Sequence, residues 1–61
     1  MDIISVLIED PRIPGGSKEE IEKNYGVTVF MYDDGTFTVK GSKENVEGYL
    51  EDYGMEHLLW S

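Results

Sequence analysis

The chain has 61 residues, 5 of them Lys or Arg and 13 Asp or Glu, for a formal charge of -8 and a pI of about 4.2. That excess argues against nucleic acid and anionic membranes as partners, because both are held by cationic side chains that displace counterions; the absence of Cys removes disulfides, thiolate metal sites and cysteine nucleophiles. The length allows one domain, 1–61, which buries only about 60% of the surface of its unfolded chain, so assembly or partner binding is an expected source of stability.

No apolar run approaches the roughly 20 residues of a transmembrane helix, and Met1-Asp2 lacks the basic start of a secretory signal. The expected location is the cytoplasm, without membrane attachment. The segment Asp2 to Glu9 is rich in β-branched residues and ends at the breaker run Asp10-Pro11-Arg12-Ile13-Pro14-Gly15-Gly16. It is predicted to be a strand. Ile4, Val6 and Ile8 alternate with Ile3, Ser5 and Leu7, so both faces carry apolar groups, which predicts a central strand or one covered on both sides.

Ser17-Lys18-Glu19-Glu20 has the form of a capping box, with Ser17 accepting from the N3 amide and Glu20 reaching back to the Ser17 amide. A helix of about two turns follows, with Ile21 and Tyr25 on one side and Gly26 as its left-handed stop. Gly15-Gly16 before that helix has the makings of an anion cradle. Glu19 and Glu20 in the first turn would repel a phosphate, so a tight turn is the expectation.

Val27 to Tyr32 and Thr36 to Lys40 are period-2 segments about Asp33-Asp34-Gly35, a hairpin signal. A two-residue loop would set Val29 against Lys40. A three-residue loop with Gly35 left-handed aligns Val29 with Val39 and Met31 with Phe37, giving one apolar face, and is therefore predicted. The opposite face is polar but carries Phe30 and Tyr32.

Ser42 caps a second helix whose Val46, Tyr49, Leu50 and Tyr53 follow the i, i+3, i+4, i+7 spacing of a buried stripe, with Gly54 as C-cap. Gly16-Ser17-Lys18-Glu19-Glu20-Ile21-Glu22 is echoed by Gly41-Ser42-Lys43-Glu44-Asn45-Val46-Glu47, and each copy ends in Tyr-Gly (Tyr25-Gly26, Tyr53-Gly54); two helices sharing one capping solution explain the echo more simply than duplication. The tail Met55 to Ser61 is unusually apolar for a terminus.

The order β-α-β-β-α predicts an α+β domain: a three-stranded sheet with two helices on the face lined by Ile4, Val6, Ile8, Val27, Val29, Met31, Phe37 and Val39. Over Ile13 to about Leu50 the chain resembles a shortened KH domain. The likeness is carried by Ile13-Pro14-Gly15-Gly16 with Ile21, by Gly26-Val27-Thr28-Val29, by Asp33 to Val39, and by Gly41 with Val46. In that family a GXXG loop clamps the nucleic-acid backbone. Gly15-Gly16 leaves no room for it, so the resemblance implies the fold more than RNA binding.

His57 is the sole histidine and has no nucleophile beside it in sequence. The acidic pairs Glu9-Asp10, Glu19-Glu20, Asp33-Asp34 and Glu51-Asp52 lack the spacing of a calcium loop. No enzymatic activity, metal or cofactor is expected. Two features point to binding. Ile3, Leu7, Phe30 and Tyr32 form an outer apolar patch, and Leu58, Leu59 and Trp60 form an apolar tail; either the tail covers the patch, or one or both pack against a second copy or a target. Glu19, Glu22, Glu44, Glu47, Glu51 and Asp52 lie on the solvent sides of the helices, a surface complementary to a basic partner protein. In size, charge and compactness the chain is similar to the small acidic inhibitors that phages encode against host enzymes and defence systems. The expected function is a homodimeric protein-binding inhibitor; the alternative is single-stranded RNA or DNA binding, with Phe30 and Tyr32 stacking on bases and Arg12, Lys18 and Lys40 on phosphates.

Overall fold

The hairpin forms in the register that its side-chain pattern demands. In the computed structural model, which describes residues 2–10 and 12–60 without the side chain of residue 60, the Tyr32 N–H donates to the Thr36 carbonyl (3.0 Å) across Asp33, Asp34 and Gly35. Gly35 takes φ +89°, and Asp34 Oδ1 accepts from both the Thr36 N–H (3.0 Å) and the Thr36 hydroxyl (2.6 Å). These bonds hold the Asp34 carboxyl below the usual carboxylate range.

The strands β1 (Ile3–Ile8), β2 (Thr28–Met31) and β3 (Phe37–Ser42) form one antiparallel sheet in the order β1-β3-β2. Val6, Val39 and Val29 stand side by side on one face, followed by Ile8, Phe37 and Met31. The element order is the expected one, but β3 is the central strand. The apolar character of both faces of β1 had suggested a central place for it; instead it lies at an edge, with Ile3 and Leu7 exposed on the outer face. Direct β1–β2 neighbours are ruled out by β3, which pairs with both.

The helix α1 (Lys18–Tyr25) starts at Ser17, whose Oγ accepts from the Glu20 N–H (3.3 Å), and stops at Gly26 with φ +69°. Glu20 bonds the Ser17 hydroxyl (3.4 Å) and not the Ser17 amide, so only half of the reciprocal capping box forms. The helix α2 (Lys43–Asp52) starts at Ser42 in the same manner. It ends in a Schellman arrangement one residue earlier than expected: Tyr53 is the cap, Gly54 is left-handed, and the Gly54 and Met55 amides donate to the Glu51 and Leu50 carbonyls. That turn sends the chain back over the core, into a short 3₁₀ stretch at Glu56–Trp60.

The core lies between the sheet and the helices. Ile21, Val39, Val46, Tyr49 and Leu50 are fully enclosed, with Val29, Phe37, Ile8 and Val27 nearly so. Each such aliphatic side chain contributes about 1.5–3 kcal/mol relative to exposure. Gly41 makes room for this layer, since an added Cβ would stand 3.2 Å from Val27 Cγ1. Two residues assigned to the core by pattern escape it. Met31 is 59% exposed, because it ends an edge strand beside the hairpin loop, where neither helix covers it. Tyr53 is 41% exposed and packs edge-on to Tyr25 and tilted against Tyr49 instead of entering the core.

Candidate interaction surfaces

Gly15 and Gly16 shape the turn into α1. Both have positive φ, and a Cβ on Gly15 would stand 2.8 Å from the Tyr53 hydroxyl. A Cβ on Gly16 would meet Glu20 Oε2 at 2.9 Å, so a carboxylate of the chain itself lies against this turn. The Tyr49 hydroxyl donates to the Pro14 carbonyl and ties the turn to α2. Among the described residues no group of three or more His, Cys, Asp or Glu is placed to hold a metal ion. His57 is exposed, on a groove lined by Leu7, Ile8, Glu9, Asp10 and Met55. One enclosed carboxylate oxygen, Glu56 Oε2, has no hydrogen-bond partner among the described residues. None of these is an acid–base or nucleophile pair.

Three surfaces remain. The first is the acidic layer. α1 packs on α2, with bonds from the Tyr25 hydroxyl to Asp52 Oδ2 (2.7 Å) and from Asn45 Nδ2 to the Gly26 carbonyl (3.3 Å). The bond to Asp52 raises the Tyr25 hydroxyl well above its ordinary range, aided by the neighbouring Tyr53. The six acids expected here divide by role. Glu19, Glu44 and Glu51 are exposed, and their carboxylates have no ion pair or hydrogen bond among the described residues. Glu47 lies 3.9 Å from Lys43, an exposed pair of small energetic weight. Asp52 is engaged by Tyr25. Glu22 turns away to the sheet, where its Oε2 accepts from the Val29 N–H (2.9 Å). That last contact joins residues seven apart in different elements, so no sequence period announces it.

The second surface is the outer sheet face. Ile3 (58%), Leu7 (52%), Phe30 (45%) and Tyr32 (49%) are exposed there, and the Tyr32 hydroxyl reaches Thr38 Oγ1 (3.0 Å). The described part of the tail leaves these four side chains exposed. Met55, Leu58 and Leu59 pack half-buried against the chain's own core on the helix side, beside α2. Trp60, expected at an interface with them, has its side chain outside the described residues.

The third surface follows from the second. Between the tail and β1 runs an open groove lined by Ile4, Ser5, Val6, Leu7, Leu58 and Leu59. It exposes the unpaired edge of β1, together with apolar side chains from both faces of the sheet. No helix of the described residues is long and apolar enough to cross a membrane.

Comparison with protein-family models, curated proteins and solved structures gives no match for this chain.

Proposed function

We propose that this domain is a protein-binding module, an inhibitor whose acidic helix layer occupies a basic site on another protein. The observation that carries the reading is the trio Glu19, Glu44 and Glu51, exposed on two helices of a chain with charge -8, their carboxylates unpartnered among the described residues. Carboxylates spaced along packed helices present fixed negative charge, as phosphates do on a nucleic acid, and so fit a site built to hold phosphates. The apolar side of the sheet supports a second role, contact with another copy of the chain, since Ile3, Leu7, Phe30 and Tyr32 have no cover of their own.

The test is capture of partners by tagged protein followed by mass spectrometry, with the Glu47→Lys/Glu51→Lys double variant in parallel. Both positions are on the acidic layer outside the buried set, so the variant retains its fold by circular dichroism. A basic protein held by the parent and released by the variant, with association slowing as salt rises, supports the reading; equal capture by both removes it.

A second reading, single-stranded nucleic-acid binding, is favoured by one observation: Phe30, Tyr32 and Lys40 share the outer face with an exposed edge strand. The net charge opposes it. Filter binding to random single-stranded RNA at low salt separates the two, because a nucleic-acid binder must retain RNA there.

A further inference from the structure

The two edges of the sheet are treated differently. On the β2 side the Tyr32–Thr36 bond fixes the alternation, so Phe30 and Thr28 bond to β3 while the backbone groups of Val29 and Met31 point outward. That edge is blunted, for β2 is four residues long and Glu22 takes the Val29 N–H. On the β1 side the Lys43 N–H donates to the Asp2 carbonyl (2.9 Å), which makes Asp2–Lys43 a bonded pair and sets the alternation along the register. Ile4, Val6 and Ile8 therefore bond to β3, while the N–H and C=O groups of Ile3, Ser5 and Leu7 point away from the sheet. Among the described residues none of these outward groups has a partner. The edge lacks every ordinary protection: no Lys, no Pro, no bulge, and no charge between Asp2 and Glu9.

We infer that the β1 edge pairs antiparallel with β1 of a second copy, centred on Ser5, joining the two sheets into one of six strands. This rests on the proposed contact between copies and assigns it a place. The outward residues allow few registers, and the one centred on Ser5 uses all of them: Ile3 opposite Leu7 of the second copy, Ser5 opposite Ser5, Leu7 opposite Ile3, each pair exchanging both bonds. Ile3 and Leu7 then cover each other on the outer face. On the inner face Ile4 meets Val6 of the second copy above Leu58 and Leu59, which closes the groove beside the tail. Charge selects the same edge. Two chains of -8 repel through their helix layers and through the Glu22 side, whereas Ile3 to Ile8 is uncharged. A stable interface takes about 800 Å² from each partner, about a fifth of the 4172 Å² surface of the chain. A single edge with flanking leucines provides less, so the dimer forms reversibly with concentration.

The experiment is sedimentation of the full chain over a dilution series, with three variants. Ser5→Pro removes an amide that the chain's own ladder does not use, so it leaves a folded monomer. Ser5→Cys supplies the only thiol of each copy; bonded antiparallel pairs have Cα atoms about 5.5 Å apart, inside the disulfide range, so it becomes a covalent dimer in a glutathione buffer. Phe30→Cys, remote from the edge, remains unlinked. Linkage through Phe30→Cys but not Ser5→Cys puts the second copy on the outer face and overturns edge pairing while leaving self-association intact. A parent protein that is monomeric at every concentration overturns both, and partner capture is still read separately. Should Ser5→Pro fail to fold, the two Cys variants decide alone.

Discussion

Tyr49 joins the core to the turn before α1: its ring is fully enclosed and its hydroxyl donates to the Pro14 carbonyl. Burial, with the charges of Tyr53 and Asp10, pushes its hydroxyl up to about 12 from 10. A folded value above the unfolded one means a stabilising contribution complete below pH 10 and lost as pH rises toward 12. Urea denaturation should show stability declining above pH 10, and Tyr49→Phe should flatten that decline while costing about 1 kcal/mol at neutral pH for the lost hydrogen bond. Gly35 offers a cleaner case. Nothing lies within 4 Å of an added Cβ, so the cost of Gly35→Ala, about 1–2 kcal/mol by thermal melting, comes from φ +89° alone. That glycine was legible in the sequence because a turn is decided by its own few residues.

At the scale of elements, period and position part company. Val39 and Met31 occupy the same face by alternation, yet one sits mid-way along the central strand and the other ends an edge strand. Val39→Ala should cost about 2–3 kcal/mol in chemical denaturation, whereas Met31→Ala should stay within about 0.5 kcal/mol; equal effects would contradict the exposure seen here. Glu22 performs a task that its helix does not reveal, namely guarding the β2 edge. Glu22→Ala frees the Val29 N–H, and light scattering should then detect larger assemblies, because a chain with two open edges can propagate where one with a single open edge stops at a pair. The capping residues Ser17 and Ser42, the stops at Gly26 and Gly54, and the hairpin register were all recoverable from local pattern. The edge position of β1, the tail's return over the core and the bond from Glu22 were not, since each joins residues far apart in the chain.

For the molecule as a whole, charge gives opposite signs to two kinds of association. Copies at -8 repel, so screening strengthens self-pairing; an acidic layer attracts a basic partner, so screening weakens that contact. Measured between low and moderate salt, the dimer should gain affinity as the partner complex loses it. Parallel trends would mean that one of the two surfaces has been misassigned. On the proposed reading the two contacts use different parts of one fold, the helices for a partner and the β1 edge for a copy.

Composition and local pattern by themselves determined an acidic α+β fold of order β-α-β-β-α, with its turns, caps and hairpin register, because those features depend on residues within a few positions of one another. Which strand lies at the centre, which apolar side chains stay exposed, and where the tail comes to rest were decided only by tertiary structure. An alternating strand carries the same pattern at an edge as in the middle, and only its hydrogen-bonded neighbours distinguish the two.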